Sequence, residues 1–294
     1  MKSTGLRTVR DLIRFAVKRF HQANLSFGHG SHNARDEAAY LVSHALKLPL
    51  DQLQRFSDIP LSDKQLKSVL EILRQRVAKK IPAAYLTHEA WLGDLRFYVD
   101  QRVIVPRSFI AELLRARLKP WIKNPLAIRT ALDLCTGSGC LAILMAHVFP
   151  NAKIDACDVS RNALAVARRN ISDYELRDRI KLMRSNLFSA LRGRRYDLIV
   201  ANPPYVNARG MRSLPAEYRY EPRLALDGGT DGLNCVRPIL QSAAEHLSEA
   251  GLLVVEIGHN RAILERAFPK IDFTWPETSA GNRYVFLLDR KHVF

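Results

Sequence analysis

Leu132-Asp133-Leu134-Cys135-Thr136-Gly137-Ser138-Gly139 is the stretch from which the rest of the chain can be read. Ala131 to Leu134 is a short apolar run of strand length, and Leu141 to Phe149 behind the loop is an apolar run of helix length that stops at Pro150. Strand, glycine loop and helix in that order begin a βαβ unit. Gly137 and Gly139 let backbone approach a ligand closely, and the helix N-terminus offers unpaired N–H groups. The loop alone is weak: with Ala142 it satisfies the G-x-G-x-x-A dinucleotide pattern, and a glycine turn needed only for packing reads the same way.

The alternation continues outward from this loop. Lys153 to Cys157 predicts a second strand and Arg161 to Asn170 a helix. Ile180 to Met183, Tyr196 to Ala201, Leu252 to Ile257 and Tyr284 to Leu288 predict four more strands, with helices at about 234–248 and 260–268. This is the pattern of an α/β domain with a mostly parallel sheet covered on both faces. Upstream the period changes. Val9, Ile13, Ala16, Val17 and Phe20, like Leu66, Val69, Leu70, Leu73 and Val77, recur at three and four, and Ser62 with Gln65 reads as a capping box. Asp36 to Leu46 is also helix-like, so residues 1–84 read as a small helical domain. Ala90 to Leu92 and Leu95 to Val99 around Gly93-Asp94 spell a hairpin. Val103 to Val105 ends at Pro106, which makes 85–105 a β-hairpin linker and leaves 106–294 to the α/β domain.

The chain of 294 residues carries 45 Lys and Arg against 29 Asp and Glu, a net charge of +16, and its composition excludes disordered, collagenous and disulfide-scaffold classes. Residues 1–130 hold 23 basic and 11 acidic residues, so most of the excess lies at the front. Read alone, that charge suggests nucleic acid. The four cysteines form no CxxC pair, and His29 and His32 in Gly28 to His32 read as solvated loop histidines, so no metal is assigned. No apolar segment reaches membrane-span length and the N-terminus has no signal-like apolar core, which predicts a cytoplasmic protein.

Two carboxylates sharpen the reading of the glycine loop. Asp158 ends the second strand about 20 residues on, where an acid accepts ribose hydroxyls. Asp133 precedes the loop and would repel a pyrophosphate; it favours a cofactor with a cationic end and no phosphate, which describes S-adenosylmethionine. A loop-capping role for Asp133 stays open. Asn202-Pro203-Pro204-Tyr205 closes the strand Tyr196 to Ala201. Pro203 holds Asn202 extended, and the two prolines form a rigid step with carbonyl acceptors and no N–H. Such a step suits an amino group on a planar carbon: the Asn202 side-chain oxygen and the Pro203 carbonyl each accept one N–H while Tyr205 packs on the planar group. Between these motifs, Asn186 could bond the adenine amino group or a ring nitrogen, with Leu187 or Phe188 against the ring; an ordinary turn is the other reading. Val206 to Asp231 shows little period and reads as a long loop of the kind that forms lids.

Asp133 to Cys140 together with Asn202 to Tyr205 resembles the protein-(glutamine-N5) methyltransferases, class I S-adenosylmethionine-dependent enzymes of Rossmann-like fold that methylate a glutamine side-chain amide in translation proteins. One branch acts on peptide-chain release factors and another on the third protein of the large ribosomal subunit. Phe27 to Gly30, Ile81 to Thr87, Val105 to Ser108 with the Ala-Glu-Leu-Leu that follows, Leu214 to Arg219 and Phe273 to Trp275 resemble the ribosomal branch, over about residues 6–288. The resemblance implies that Asp133, Cys135, Thr136, Gly137, Ser138 and Gly139 hold the methionine end of the cofactor and Asp158 the ribose. It places Asn186 and Leu187 at the adenine and Asn202 to Tyr205 at the glutamine amide, with Asn202 also beside the cofactor and Asn202, Pro203 and Tyr205 as the catalytic set. It also implies a substrate-recognition role for the helical front. Asn186 stands where the family usually has Asp, keeping a donor and an acceptor there, and Ala280 to Arg283 departs from a Gly-Gly-Asp-Gly type of stretch.

Three further readings stay open: the release-factor branch, an adenine-N6 methyltransferase on nucleic acid, which shares Asn-Pro-Pro-Tyr, and an RNA-binding module without catalysis. A large-subunit ribosomal protein is itself expected to be basic. The basic front is therefore expected to meet ribosomal RNA of an assembly intermediate while the α/β domain receives the amide.

Overall fold

The computed structural model describes residues 6–292; residues 1–5 and 293–294, the outer edges of the expected terminal domains, lie outside the described residues. The front is helical because its apolar side chains return on one stripe. Helix α1 (Val9–Gln22) buries Val9, Leu12, Ala16 and Phe20, and α2 (Ala34–Leu46) packs between it and α3 (Asp63–Lys79). The Ser62–Gln65 capping box forms at the start of α3, and a second one, Thr8 with Asp11, opens α1. A short α4 (Ala83–Thr87) leads into the hairpin of β1 (Glu89–Leu92) and β2 (Leu95–Tyr98), which turns at Gly93-Asp94. Val103 to Val105 runs on as loop.

After α5 (Ile110–Arg115) the α/β part begins with β3 (Thr130–Leu134), α6 (Cys140–Val148), β4 (Lys153–Asp158), α7 (Arg161–Asp173), β5 (Ile180–Arg184) and β6 (Tyr196–Ala201). It continues through α8 (Ala208–Ser213), α9 (Val236–His246), β7 (Leu247–Glu256), α10 (Arg261–Ala267) and β8 (Val285–Asp289). The strand order is β5-β4-β3-β6-β7-β8, parallel except for β8 against β7. Strand alternation sorts the core into two layers: Leu198 and Val200 of β6 face the layer containing α6, while Ile199 and Ala201 face the layer containing α9. This is the expected Rossmann-like α/β architecture, preceded in the chain by the helical front. In register, Leu134 lies beside both Cys157 and Ala201, and Asp158 beside Arg184. The C-terminal ends of β5, β4, β3 and β6 are therefore neighbours on one edge, and each carries one of the motifs singled out above.

Two expectations are corrected. The stretch 206–231 holds α8 and two 3-10 turns, Ala216–Tyr220 and Arg223–Ala225, instead of irregular loop. Helices this short leave no readable period, and the contacts that hold them are distant in sequence. Buried Glu217 accepts the Ser26 N–H at 2.9 Å and pairs with Arg76 at 3.3 Å, and the Tyr220 hydroxyl donates to the Lys79 carbonyl at 2.6 Å. The segment after the Asn-Pro-Pro-Tyr step is thus fastened to the helical front. His29 is 3% exposed instead of solvated. It packs on Tyr218 with ring centroids 4.3 Å apart, and its Nε2 lies 3.7 Å from Glu221. Among the described residues no helix is long and apolar enough to cross a membrane.

Candidate active site

Asp133 at the end of β3 is buried, and one of its oxygens performs the capping role that its sequence position allows. Oδ2 accepts from Thr136 Oγ1 at 2.6 Å and from the Ala142 N–H at 3.1 Å, replacing the cap that Gly139 has no side chain to provide for α6. Oδ1 is buried with no hydrogen-bond partner. Burial pushes the carboxyl up to about 7, against the lowering effect of those two hydrogen bonds.

The glycine loop is bent by three left-handed residues, Cys135 at φ +59°, Gly137 at +55° and Gly139 at +82°. A β-carbon on Gly139 would stand 3.3 Å from that of Ala167, whereas the side of Gly137 faces open space. The Gly137 N–H donates to Asp158 Oδ2 at 3.0 Å, and Asp158 Oδ1 accepts the Ser160 N–H at 2.8 Å. Thr136 donates its N–H to the Cys157 carbonyl, and the Ser138 carbonyl accepts Asn170 Nδ2 at 2.8 Å. Loop and second-strand acid are therefore one hydrogen-bonded unit. An orphaned carboxylate oxygen, an open loop and a second carboxylate beside it fit a ligand with a cationic end and a ribose, as S-adenosylmethionine has. Leu187, at φ +48°, and exposed Asn186 follow β5 on the same edge, and the Asn186 side chain makes no hydrogen bond among the described residues. Phe188 does not join them: it is buried and stacked on His246, ring centroids 4.5 Å apart and planes nearly parallel, so only Leu187 of the two remains for an adenine ring.

At the end of β6, Asn202 Nδ2 donates to the Arg107 carbonyl at 3.4 Å. A carbonyl only accepts, so this contact turns the amide nitrogen inward and leaves Asn202 Oδ1 as an acceptor. Pro203 is buried, and Pro204 and Tyr205 are partly exposed. The Tyr205 hydroxyl donates to Glu256 Oε1 at 3.2 Å, and its carbonyl accepts Asn260 Nδ2 at 2.7 Å. Gly258 lies so close that a β-carbon there would stand 2.6 Å from the Tyr205 ring.

Several residues to which sequence reasoning gave no role in the site hold these groups. Glu256, buried at the end of β7, accepts from Ser108 Oγ at 2.6 Å and from the Phe109 N–H at 2.9 Å as well as from Tyr205. Burial raises its carboxyl, and these hydrogen bonds oppose the rise. Arg107 grips Glu221 with both guanidinium nitrogens, at 2.5 and 2.6 Å, and Glu221 also accepts the Val105 N–H at 2.9 Å. Burial favours the neutral Glu221, but the Arg107 pair outweighs it and holds the carboxyl at about 2. Residues 105–109 therefore bracket the site, setting Asn202 through one carbonyl and Tyr205 through Glu256. The signal available in sequence was an acid ending the apolar run Leu252 to Val255.

Comparison with known proteins bears on this geometry directly. The Methyltransferase small domain model matches residues 112–216 and the PrmC N-terminal domain model residues 11–87. Over 98% of this chain and 95% of the relative, the chain is 56% identical to the ribosomal protein uL3 glutamine methyltransferase of Neisseria meningitidis serogroup B. It belongs to that family. Proteins of the same name from Burkholderia pseudomallei, 53% identical over 97% of this chain and 95% of theirs, and Xylella fastidiosa, 45% identical over 98% and 92%, extend the likeness. Among solved structures, the ribosomal protein L11 methylase of Lactobacillus delbrueckii subsp. bulgaricus aligns at 21% identity and a TM-score of 0.43, covering 60% of this chain and 75% of that one. As a member of the uL3 glutamine methyltransferase family, the chain is a protein methyltransferase that uses S-adenosylmethionine.

Proposed function

We propose that this enzyme methylates the N5 side-chain amide of a glutamine in ribosomal protein uL3, with Asn202, Pro203 and Tyr205 as the catalytic residues. The observation that carries the reading is the fixed orientation of Asn202, whose Oδ1 is the free acceptor at the end of β6. Near-full-length relatives named for uL3 favour this substrate over a release factor or a nucleic-acid base.

Bound S-adenosylmethionine would supply an electrophilic methyl group. Asp133 Oδ1 would meet its ammonium, the loop Cys135 to Gly139 its methionine part, Asp158 its ribose, and Asn186 and Leu187 its adenine. The lone pair of an amide nitrogen is delocalised into its carbonyl, so the protein's task is to orient that nitrogen. Asn202 Oδ1 and the Pro203 carbonyl each accept one of its two N–H groups, which fixes both the position of the nitrogen and the face it presents. Pro204 stiffens the step, and Tyr205, held by Glu256 and Asn260, packs on the amide plane. As the nitrogen–carbon bond forms, the methyl's bond to the sulfonium sulfur would break with its electron pair left on sulfur, positive charge grows on N–H groups that already point at two oxygen acceptors, and one of those protons is released to water.

The working division is a substrate-recognition front at 1–84, a hairpin linker at 85–105 and a catalytic part at 106–294. The basic front meets ribosomal RNA and so brings the enzyme to uL3 in an assembling particle in the cytoplasm, while the amide chemistry itself needs uL3 alone. Incubation with labelled S-adenosylmethionine and ribosome-assembly extract tests the reading: label in uL3 supports it, and label in RNA or in a release factor contradicts it.

A further inference from the structure

The front carries a groove that the methyl-transfer chemistry does not use. It has a volume of about 820 Å³ and lies where α1 and the start of α2 face the turn that follows α2. Half-buried Ile13 and Val17 and buried Leu53 form its floor. Exposed Arg14 and Lys18, one turn apart on α1, and Arg35 from α2 stand on its rim, and no Asp or Glu lines it. Among the described residues none of these three cations forms an ion pair, whereas Arg10 nearby is paired with Asp58 at 2.6 Å. The neighbouring acids cap helices, Asp11 with Thr8 and Asp36 with Asn33, and of the three groove cations Arg14 is near enough to Asp11 for the two to attract without forming an ion pair.

Three cations from two helices, none in an ion pair and all lining a groove with aliphatic side chains, form a site for a polyanion with an apolar part. We propose that this groove binds a strand of RNA, with Arg14, Lys18 and Arg35 on successive phosphates and Ile13, Val17 and Leu53 beneath a base or sugar. RNA is favoured over an acidic protein segment by the company of the proposed substrate, a ribosomal protein, and to that extent the inference rests on the functional reading above. Guanidinium and ammonium groups on phosphates release counterions, so the contact has a measurable salt signature. The groove recruits the enzyme to RNA-containing particles; it takes no part in orienting the glutamine.

The test compares the full-length enzyme with the Arg14→Ala, Lys18→Ala, Arg35→Ala triple variant and with Arg14→Lys, Arg35→Lys, using protein-free large-subunit ribosomal RNA as the probe at several salt concentrations. Because all three side chains are exposed, the variants are expected to unfold at the wild-type temperature. Binding to RNA is expected to weaken in the triple variant, with the slope of log affinity against log salt shallower by about 2 to 3, as loss of three phosphate contacts requires. The Lys variant is expected to keep the wild-type slope, and all three proteins to methylate isolated uL3 at the same rate. An unchanged RNA slope in the triple variant overturns the proposal, as does loss of affinity for RNA-free uL3, which would make the groove a protein-docking surface. If isolated uL3 is not methylated by any of the three, the functional reading fails, and the RNA slopes still decide the groove.

Discussion

The side-chain nitrogen of Asn202 faces the main-chain carbonyl of Arg107 at 3.4 Å, and that contact determines which end of the Asn202 amide a substrate meets. It rests in turn on the Arg107–Glu221 pair, which joins residues 114 positions apart and holds the 105–109 segment in place.

Asn202→Ala is expected to lower kcat about a hundred- to a thousandfold, the range for losing one oriented partner of a developing charge, with the Kd for S-adenosylmethionine nearly unchanged by calorimetry. Asn202→Asp is expected to do no better, because it sets a second acceptor against the Arg107 carbonyl. Parallel loss of turnover and cofactor affinity in Asn202→Ala would remove the assigned role.

Asp133 gives the cofactor step its pH dependence. Its carboxyl is raised to about 7, so it gains a proton as pH falls through that value, and a cationic ligand binds the ionised form. Affinity for S-adenosylmethionine is therefore expected to be full near pH 8 and to decline below 7, with proton release on binding at pH 6.5. Titrations in buffers of different ionisation enthalpy measure that release, and Asp133→Asn should abolish it. A wild-type affinity flat from pH 6 to 8 would show that Asp133 only caps α6.

Gly258→Ala tests how Tyr205 is seated. A methyl there meets the ring at 2.6 Å, at a φ of +57° that disfavours alanine by roughly 1 kcal/mol. The expected result is a small loss in Tm and a fall in kcat of about tenfold or more, since a displacement of about 1 Å at a reacting group can cost a hundredfold. Unaltered kinetics with the same Tm loss would mean that the ring position does not matter to the reaction.

Arg76 is the buried counterpart in the helical front, 2.7 Å from Glu37 and 3.3 Å from Glu217, each of the three about 1% exposed. Arg76→Met leaves two buried carboxylates without a counterion, which is expected to lower stability by about 3–5 kcal/mol. Burial already raises the Glu37 carboxyl and Arg76 opposes that rise, so without Arg76 the deficit should shrink as pH falls and Glu37 is protonated. Urea unfolding at pH 7.5 and pH 5 measures both. A deficit that grows in acid would contradict the account.

What is legible in the sequence is what is local. The glycine loop, Asp158 and Asn202 to Tyr205 each sit at the end of one apolar strand, and parallel pairing alone brings those ends together. Asp133 is half legible: its position allows a cap and a cationic contact, and only the structure shows one oxygen used and the other orphaned. Arg107, Glu221 and Glu256 are not legible from periodicity, since the partners that tie them to the site lie 51 to 148 residues away. His29 misleads because its polar neighbours suggest a solvated loop, whereas Tyr218, from the far side of the chain, covers it.

The most direct test of the central claim is peptide mass mapping of purified uL3 after incubation with S-adenosylmethionine and either the wild-type enzyme or Asn202→Ala. The account predicts one added methyl on the side-chain amide of a single glutamine with the wild type and almost none with the variant. A methyl on any other residue type, or equal modification by both enzymes, would contradict it.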